Sequence, residues 1–299
     1  MKSKKFLALA LAAISVGTMA AFASCGEGGT STGGGDSTGN STSGNSGATG
    51  TLSGTVSLTG STSMEELMRA IAAKFEAIHT DVTVNISCNG SGTGISDAIS
   101  GRNDIGLSSR DLSSSEISQG AKAVQLATDG IAIIVNPSCT VSNVTADEIY
   151  NLYVHGTTIK ETISRAIARE EGSGTRGAFD ELVVNTAGEA LEDALELADC
   201  VQEQTSTGNV ITQISTAGAT NLIGYVSLGA VTDAVKAVKY NDVEATVENI
   251  VAGDYALSRP FNLVLNANEE LSPVAQAFYD YLFTDEIQDF IEEEGYIRA

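Results

Sequence analysis

Basic residues are scarce in this chain. It carries 16 Lys and Arg against 38 Asp and Glu, a formal charge of −22 at neutral pH. That balance argues against nucleic acid and anionic membrane surfaces as partners, since both are held by basic patches. Histidine is rarer still, with His79 and His155 the two present, and no pair of cysteines stands at metal-ligand spacing, so nothing marks a zinc site. Of the four cysteines, Cys88, Cys139 and Cys200 lie beyond the N-terminal region. An odd set allows one disulfide at most, and buried thiols are the favoured expectation. A serine nucleophile would need a base beside it and phosphoryl chemistry usually needs a metal; neither a histidine nor a carboxylate cluster accompanies the Gly/Ser/Thr-rich turns described below. No catalytic residue, metal or cofactor is expected.

The N-terminus reads as a targeting segment. Lys2, Lys4 and Lys5 precede an apolar run from Phe6 to Ala23 and a small-residue site at Ser24-Cys25, so residues 1–24 are expected to be a signal peptide, the alternative being an uncut membrane anchor. Phe22-Ala-Ser-Cys25 resembles a lipoprotein signal box, although Phe22 is not the usual aliphatic residue there, and implies a lipid on Cys25. Removing three lysines with the signal peptide leaves 13 basic residues against 38 acidic ones, a charge of −25. Residues 26–50 are almost all Gly, Ser, Thr and Asn and cannot bury enough apolar surface to offset their ordering entropy. As a flexible linker they would span about 25–30 Å. With 42% hydrophobic against 18% charged residues, residues 51–299 are the globular part, long enough for two lobes.

Within that part, strand and helix patterns alternate. Apolar residues at 64, 67, 68, 71, 75 and 78 mark one helical face, and Ser63 with Glu66 reads as a capping box. Thr145 to Tyr153, Glu189 to Leu197, Pro273 to Phe283 and Asp285 to Glu294 read as helices, and Ile95 to Ile99 as a short one. Gly130 to Asn136 is an uninterrupted apolar run, expected in the middle of a parallel sheet. This pattern predicts an α/β fold with an open, mainly parallel sheet in each of two lobes.

Three strand-to-helix turns share one chemistry. Gly60-Ser-Thr-Ser63 follows the strand-like Thr55–Thr59, Asn89-Gly-Ser-Gly-Thr-Gly-Ile95 follows Val82–Cys88, and Arg169-Glu-Glu-Gly-Ser-Gly-Thr175 follows Ser164–Ala168. A single Gly-Ser-Gly-Thr is compatible with an ordinary capped loop. Three turns rich in Gly, Ser and Thr point to one shared ligand, with amides, hydroxyls and a planar guanidinium converging on an anion at helix N-termini. No Lys-Ser or Lys-Thr pair follows the second glycine, so neither Gly-Ser-Gly turn is a nucleotide P-loop. Arg165 competes with Arg169, because strand alternation puts both on one face. Tyr225 reads as a core residue.

These motifs, together with Asp104-Ile-Gly-Leu-Ser-Ser-Arg110 and Gly224-Tyr-Val-Ser-Leu-Gly229, resemble the phosphate-binding proteins that serve bacterial ABC phosphate importers, from about residue 55 to the C-terminus. The resemblance implies a two-lobed, type II periplasmic-binding-protein-like fold with a two-strand hinge. Lobe I would comprise residues 51–134 and 256–299, lobe II residues 135–255, with crossings near 128–136 and 256–264. It implies a monomer on the outer face of the cell membrane that captures inorganic phosphate and delivers it to the importer's membrane subunits. Phosphate would be held by Thr62, Ser63, Ser91, Ser109, Arg169, Ser173, Gly174 and Thr175, with Ser61, Arg110 and Asp111 as further candidates and Glu171 orienting Arg169. One position departs from the pattern: the best-known members have an aspartate where this chain has Ser109. That aspartate accepts the proton of hydrogen phosphate and repels fully ionised sulfate, a task that here falls to Asp111 or a backbone carbonyl. A receptor for sulfate or molybdate, a ligand-sensing partner of a signalling protein, and a surface phosphatase are the alternatives.

Overall fold

Apolar spacing decides where the first half of the fold buries its helices. In the computed structural model, which describes residues 51–299, strand β1 (Gly54–Gly60) leads into helix α1 (Glu65–Ile78). The face carrying Leu67, Met68, Ile71, Ala72 and Phe75 is buried as the spacing predicts, while Ile78 is exposed. Ser63 does not cap this helix. Met64 occupies the N-cap with no side-chain bond, because the Ser63 hydroxyl is taken by Thr175, 2.7 Å away. The signal peptide at 1–24, Cys25 and the linker at 26–50 lie outside the described residues.

Strand β2 (Val82–Cys88), helix α2 (Ser91–Ile99), strand β3 (Ile105–Ser108) and helix α3 (Ser114–Ser118) follow, and then the 15-residue β4 (Ala121–Val135). Helix α2 starts four residues earlier than Ile95, so the glycine-rich turn is itself the first helical turn. The next stretch contains β5 (Asn143–Val144), α4 (Ala146–His155), β6 (Arg165–Arg169), α5 (Gly174–Leu182), β7 (Val201–Gln204), α6 (Thr207–Ser215) and β8 (Leu222–Ser227). Thr145 caps α4 in a full capping box with Glu148. The helix expected over 189–197 is absent; a single 3-10 turn at Leu191–Asp193 replaces it, with Leu195 fully exposed. Here the acidic positions win over the weak apolar spacing, since Ala190 and Leu191 are buried while Leu197 is only half-buried against the core. Strands β9 (Lys236–Ala237) and β10 (Lys239–Tyr240), helix α7 (Val247–Val251), β11 (Ser258–Asn266), α8 (Pro273–Leu282), α9 (Asp285–Glu293) and β12 (Ile297–Arg298) complete the chain.

Apart from β5 and β10, which pair with each other, the strands form one curled ladder in the order β2-β1-β3-β11-β4-β8-β6-β7. Its two ends are parallel trios, β2-β1-β3 and β8-β6-β7. Its middle is antiparallel: β11 and β4 run side by side, β4 pairs β8 antiparallel, and β9 and β12 add to β4. The sheet is therefore mixed, and the run Gly130–Val135 is antiparallel to its neighbours. Burial on both faces, which does not require parallel neighbours, removes its polar alternation.

Two main apolar cores divide the chain between residues 127 and 131 and again between 257 and 261. One gathers Val56, Met68, Phe75, Phe261, Phe278 and Ile287. The other gathers Ile131, Tyr153, Phe179, Tyr225 and Leu257. A smaller cluster lies on the opposite face of each parallel trio, so both sheet faces are covered, as an α/β fold requires. Cys88, Cys139 and Cys200 are free thiols, with Cys139 buried and the other two half-buried. Burial, helped by Glu65, pushes the Cys88 thiol up to about 12, which keeps it protonated.

Phe278 is fully buried and meets the Phe75 ring edge-on at 5.1 Å. Phe278→Ala is expected to destabilise the fold by about 3–5 kcal/mol. Denaturant unfolding measures this; a loss below about 1 kcal/mol would place Phe278 outside the load of the core.

Candidate functional site

The C-terminal ends of β1, β2 and β3 deliver their turns to one place. Gly60 ends β1 at φ +141°, and a Cβ there would sit 2.2 Å from the Leu107 carbonyl, so only glycine lets the first turn press on β3. The Gly60 carbonyl then accepts from the amides of Asn89 and Gly90, both at 2.9 Å, which ties the second turn to the first. Ser61 donates to the Ser109 hydroxyl (2.8 Å), Ser91 lies 3.3 Å from that hydroxyl, and the Ser109 amide donates to Ser91 (3.1 Å). Ser91 and Ser109 are fully buried.

From the other core, β6 delivers Arg169, which is 2% exposed. Its Nη2 donates to Thr62 at 3.0 Å, its Nη1 approaches Thr207 at 3.4 Å, and its Nε also reaches the Gln204 carbonyl. The third turn crosses the divide as well. Ser63 and Thr175 pair at 2.7 Å, and the Gly92 amide donates to the Gly172 carbonyl at 3.0 Å. At Gly174 a Cβ would fall 2.3 Å from the Ser91 hydroxyl and 2.6 Å from that of Ser109, so the first residue of α5 passes flush against the lobe I serines. Ser173 caps α5 through the Arg176 amide and is itself buried.

Of the predicted residues, Ser61, Thr62, Ser63, Ser91, Ser109, Arg169, Ser173, Gly174 and Thr175 therefore come together. Arg110 and Asp111 do not. The Arg110 guanidinium is clamped on Glu116 (2.7 and 2.9 Å), and Asp111 is exposed. Arg110 holds the Glu116 carboxyl below its ordinary value. The expectation that Glu171 orients Arg169 also fails. Glu170 does this, with 2.8 Å contacts to Nε and Nη2, while Glu171 is exposed. Gly172, at φ +85°, makes the turn in which the Ser173 amide donates to the Glu170 carbonyl at 3.1 Å. Arg165 is exposed and bonded to Gln202.

Tyr225 is a core residue. It stacks on Phe179 at 3.8 Å, and its hydroxyl accepts from the Arg169 amide. Burial pushes its phenol well up, so it stays neutral. Burial also raises the Asp180 carboxyl to about 6, opposed by Arg176.

Thr207 and Glu170 escaped the sequence reading. The signal for Thr207 was present: Thr205-Ser206-Thr207-Gly208 follows β7 and opens α6, with Ser206 as its cap, the same strand, hydroxyl-and-glycine turn and helix seen three times elsewhere. Helices α2, α5 and α6 thus all begin at this place. Unpaired N–H groups, hydroxyls and one guanidinium are suited to replacing the water shell of a small oxyanion. Among the described residues, Glu170 is the carboxylate against the donors, and both of its oxygens are on Arg169. Among the described residues no group of three His, Cys, Asp or Glu side chains is placed to hold a metal ion.

Comparison with known proteins places this geometry in a family. Residues 45–286 match the PBP superfamily domain. The chain is 36% identical to the phosphate-binding protein PstS 2 of Streptococcus pneumoniae over 135 residues, a stretch that spans 44% of each protein. It is 29% identical to the phosphate-binding protein PstS of Bacillus subtilis over 254 residues, 79% of this chain and 78% of that one. Among solved structures, one from Clostridium perfringens, described as a phosphate ABC transporter substrate-binding protein with bound phosphate, superposes with a TM-score of 0.75. It is 36% identical and covers 82% of this chain and 100% of its own. An ABC-type phosphate transport receptor from Vibrio cholerae gives 0.64 at 29% identity, with coverages of 82% and 100%. The chain belongs to the PBP superfamily, within its branch of phosphate-binding substrate-binding proteins of ABC transporters.

Proposed function

We infer that this protein captures inorganic phosphate between two lobes and delivers it to an ABC importer. One observation carries the reading: a buried guanidinium, Arg169, meets hydroxyls contributed by both apolar cores, Thr62 from one and Thr207 from the other. The lobes are residues 51–134 with 256–299, and 135–255, joined through β4 and β11. The anion is held by Thr62, Ser63, Ser91, Ser109, Arg169, Ser173, Gly174 and Thr175, with Ser61 and Thr207 adding hydroxyls. Neither half can surround the ligand alone, so binding favours the closed arrangement by the difference in contacts. The protein is a carrier with no turnover of its own. In this reading Cys25 bears a lipid and residues 26–50 tether a monomeric globule at the outer face of the cell membrane, within reach of the importer's membrane subunits.

A carboxylate acceptor is missing from the donor set, since Asp111 is exposed and Glu170 is spent on Arg169. The proton of hydrogen phosphate then goes to a hydroxyl oxygen, which both donates and accepts. A neutral acceptor rejects a fully ionised anion less strongly than a carboxylate does.

Isothermal titration with phosphate tests the reading, and no heat of binding would overturn it. Arg169→Ala is expected to weaken binding by several kcal/mol, about 2–5, because it removes the positive charge and leaves Glu170 unpaired beside the anion. Unimpaired affinity in that variant would remove Arg169 from the site. Thr175→Val keeps the shape and is expected to cost about 1–2 kcal/mol through one lost hydroxyl. In competition titrations sulfate is expected to displace phosphate, since no carboxylate repels it; failure to displace it at any attainable excess would overturn the neutral-acceptor reading.

A further inference from the structure

The two strands that join the cores carry a buried ion pair that the donor set does not include. Arg259 on β11 stands directly opposite Asp129 on β4 in the antiparallel register. Its Nη2 and Nε donate to one Asp129 oxygen at 3.0 and 3.2 Å, and the two side chains are 1% and 0% exposed. The other Asp129 oxygen accepts from the Ser227 hydroxyl at 2.8 Å, at the end of β8 and on the far side of the divide. The remaining edge of the guanidinium points the opposite way, with Nη1 on the backbone carbonyl of Ser109 at 3.4 Å. A continuous chain, Ser227 to Asp129 to Arg259 to Ser109, therefore runs from the end of a lobe II strand, through the hinge, to one of the anion-site serines.

Stability alone does not account for this pair. Desolvating two charges costs several kcal/mol each, and well-packed apolar residues of similar volume usually do as well or better. What apolar residues cannot do is hold a carbonyl in place. Ser109 needs holding, because the α5 backbone passes so close that a Cβ on Gly174 would lie 2.6 Å from its hydroxyl. A shift of Ser109 by a few tenths of an ångström either lifts its hydroxyl from the anion or blocks the approach of α5.

We propose that Arg259, anchored by Asp129, is a positioning residue that fixes Ser109 for anion capture and ties its placement to the register of the two connecting strands. The inference rests on the phosphate-binding reading, and the wild-type protein titrated in parallel separates the two: absence of binding there overturns both.

Given wild-type binding, Arg259→Lys keeps the charge but loses the fork that spans Asp129 and the Ser109 carbonyl. It is expected to weaken phosphate binding about tenfold by calorimetry, whereas in a Ser109→Ala background the same change is expected to cost no more than about threefold, the non-additivity of residues acting as a unit. The double replacement Asp129→Leu with Arg259→Met is expected to unfold at or above the wild-type temperature and still bind phosphate about tenfold more weakly. Wild-type affinity in Arg259→Lys, an equal loss with and without the Ser109 hydroxyl, or wild-type affinity in the stable double replacement would each overturn the proposal and leave the pair a purely structural one.

Discussion

A guanidinium taken almost wholly out of water must have its charge met on every side, and Arg169 is 2% exposed. Glu170 takes one edge, the Gln204 carbonyl shares Nε, and Thr62 and Thr207 meet the two terminal nitrogens. Of these, Thr62 comes from the other core, so that bond is made only when the cores are brought together. The serines of the other turns stack around this point, and the requirement for glycine at 60 and 174 follows from how closely the backbones approach there. The site thus depends on one buried cation whose hydrogen bonds are completed from both sides of the divide.

An anion receptor in a chain of formal charge −22 is consistent with this arrangement. Screening over about 8 Å at physiological salt removes most of the effect of distant carboxylates, so the groups in contact decide binding. The nearest acids are each paired locally: Glu170 with Arg169, Asp129 with Arg259, and Asp180 with Arg176. The far field acts on the rate of encounter more than on affinity, as a slower and salt-sensitive association.

Hydroxyls dominate the contact surface, and this shapes selectivity. A ring of Ser and Thr side chains can turn donor or acceptor according to the protonation of its ligand. A carboxylate in the same position would impose a protonated partner. The chain has placed Ser109 there and left Asp111 in solvent, so under the proposed reading no carboxylate selects for a protonated ligand.

Much of this was legible before any coordinates. The periodicity of α1, α4, α8 and α9, the buried strand through Gly130–Val135 and the three Gly/Ser/Thr turns all depend on residues within one or two turns of chain, where backbone conformation and side-chain spacing are set by local sterics. The sequence by itself therefore determined an α/β architecture with oxyanion-type donors at strand ends. Tertiary structure decided the rest. It chose Glu170 over Glu171, spent the Ser63 hydroxyl on Thr175 and so left α1 uncapped, brought in Thr207, excluded Arg110 and Asp111, and set β4 and β11 antiparallel with Asp129 facing Arg259. The Ser63–Thr175 and Asp129–Arg259 contacts join residues more than a hundred positions apart, and the Arg169–Thr207 contact joins two separate strand-to-helix turns. Spacing along a chain carries no record of which distant group will share its hydrogen bond, because that choice is made by the packing of the cores that bring the two together.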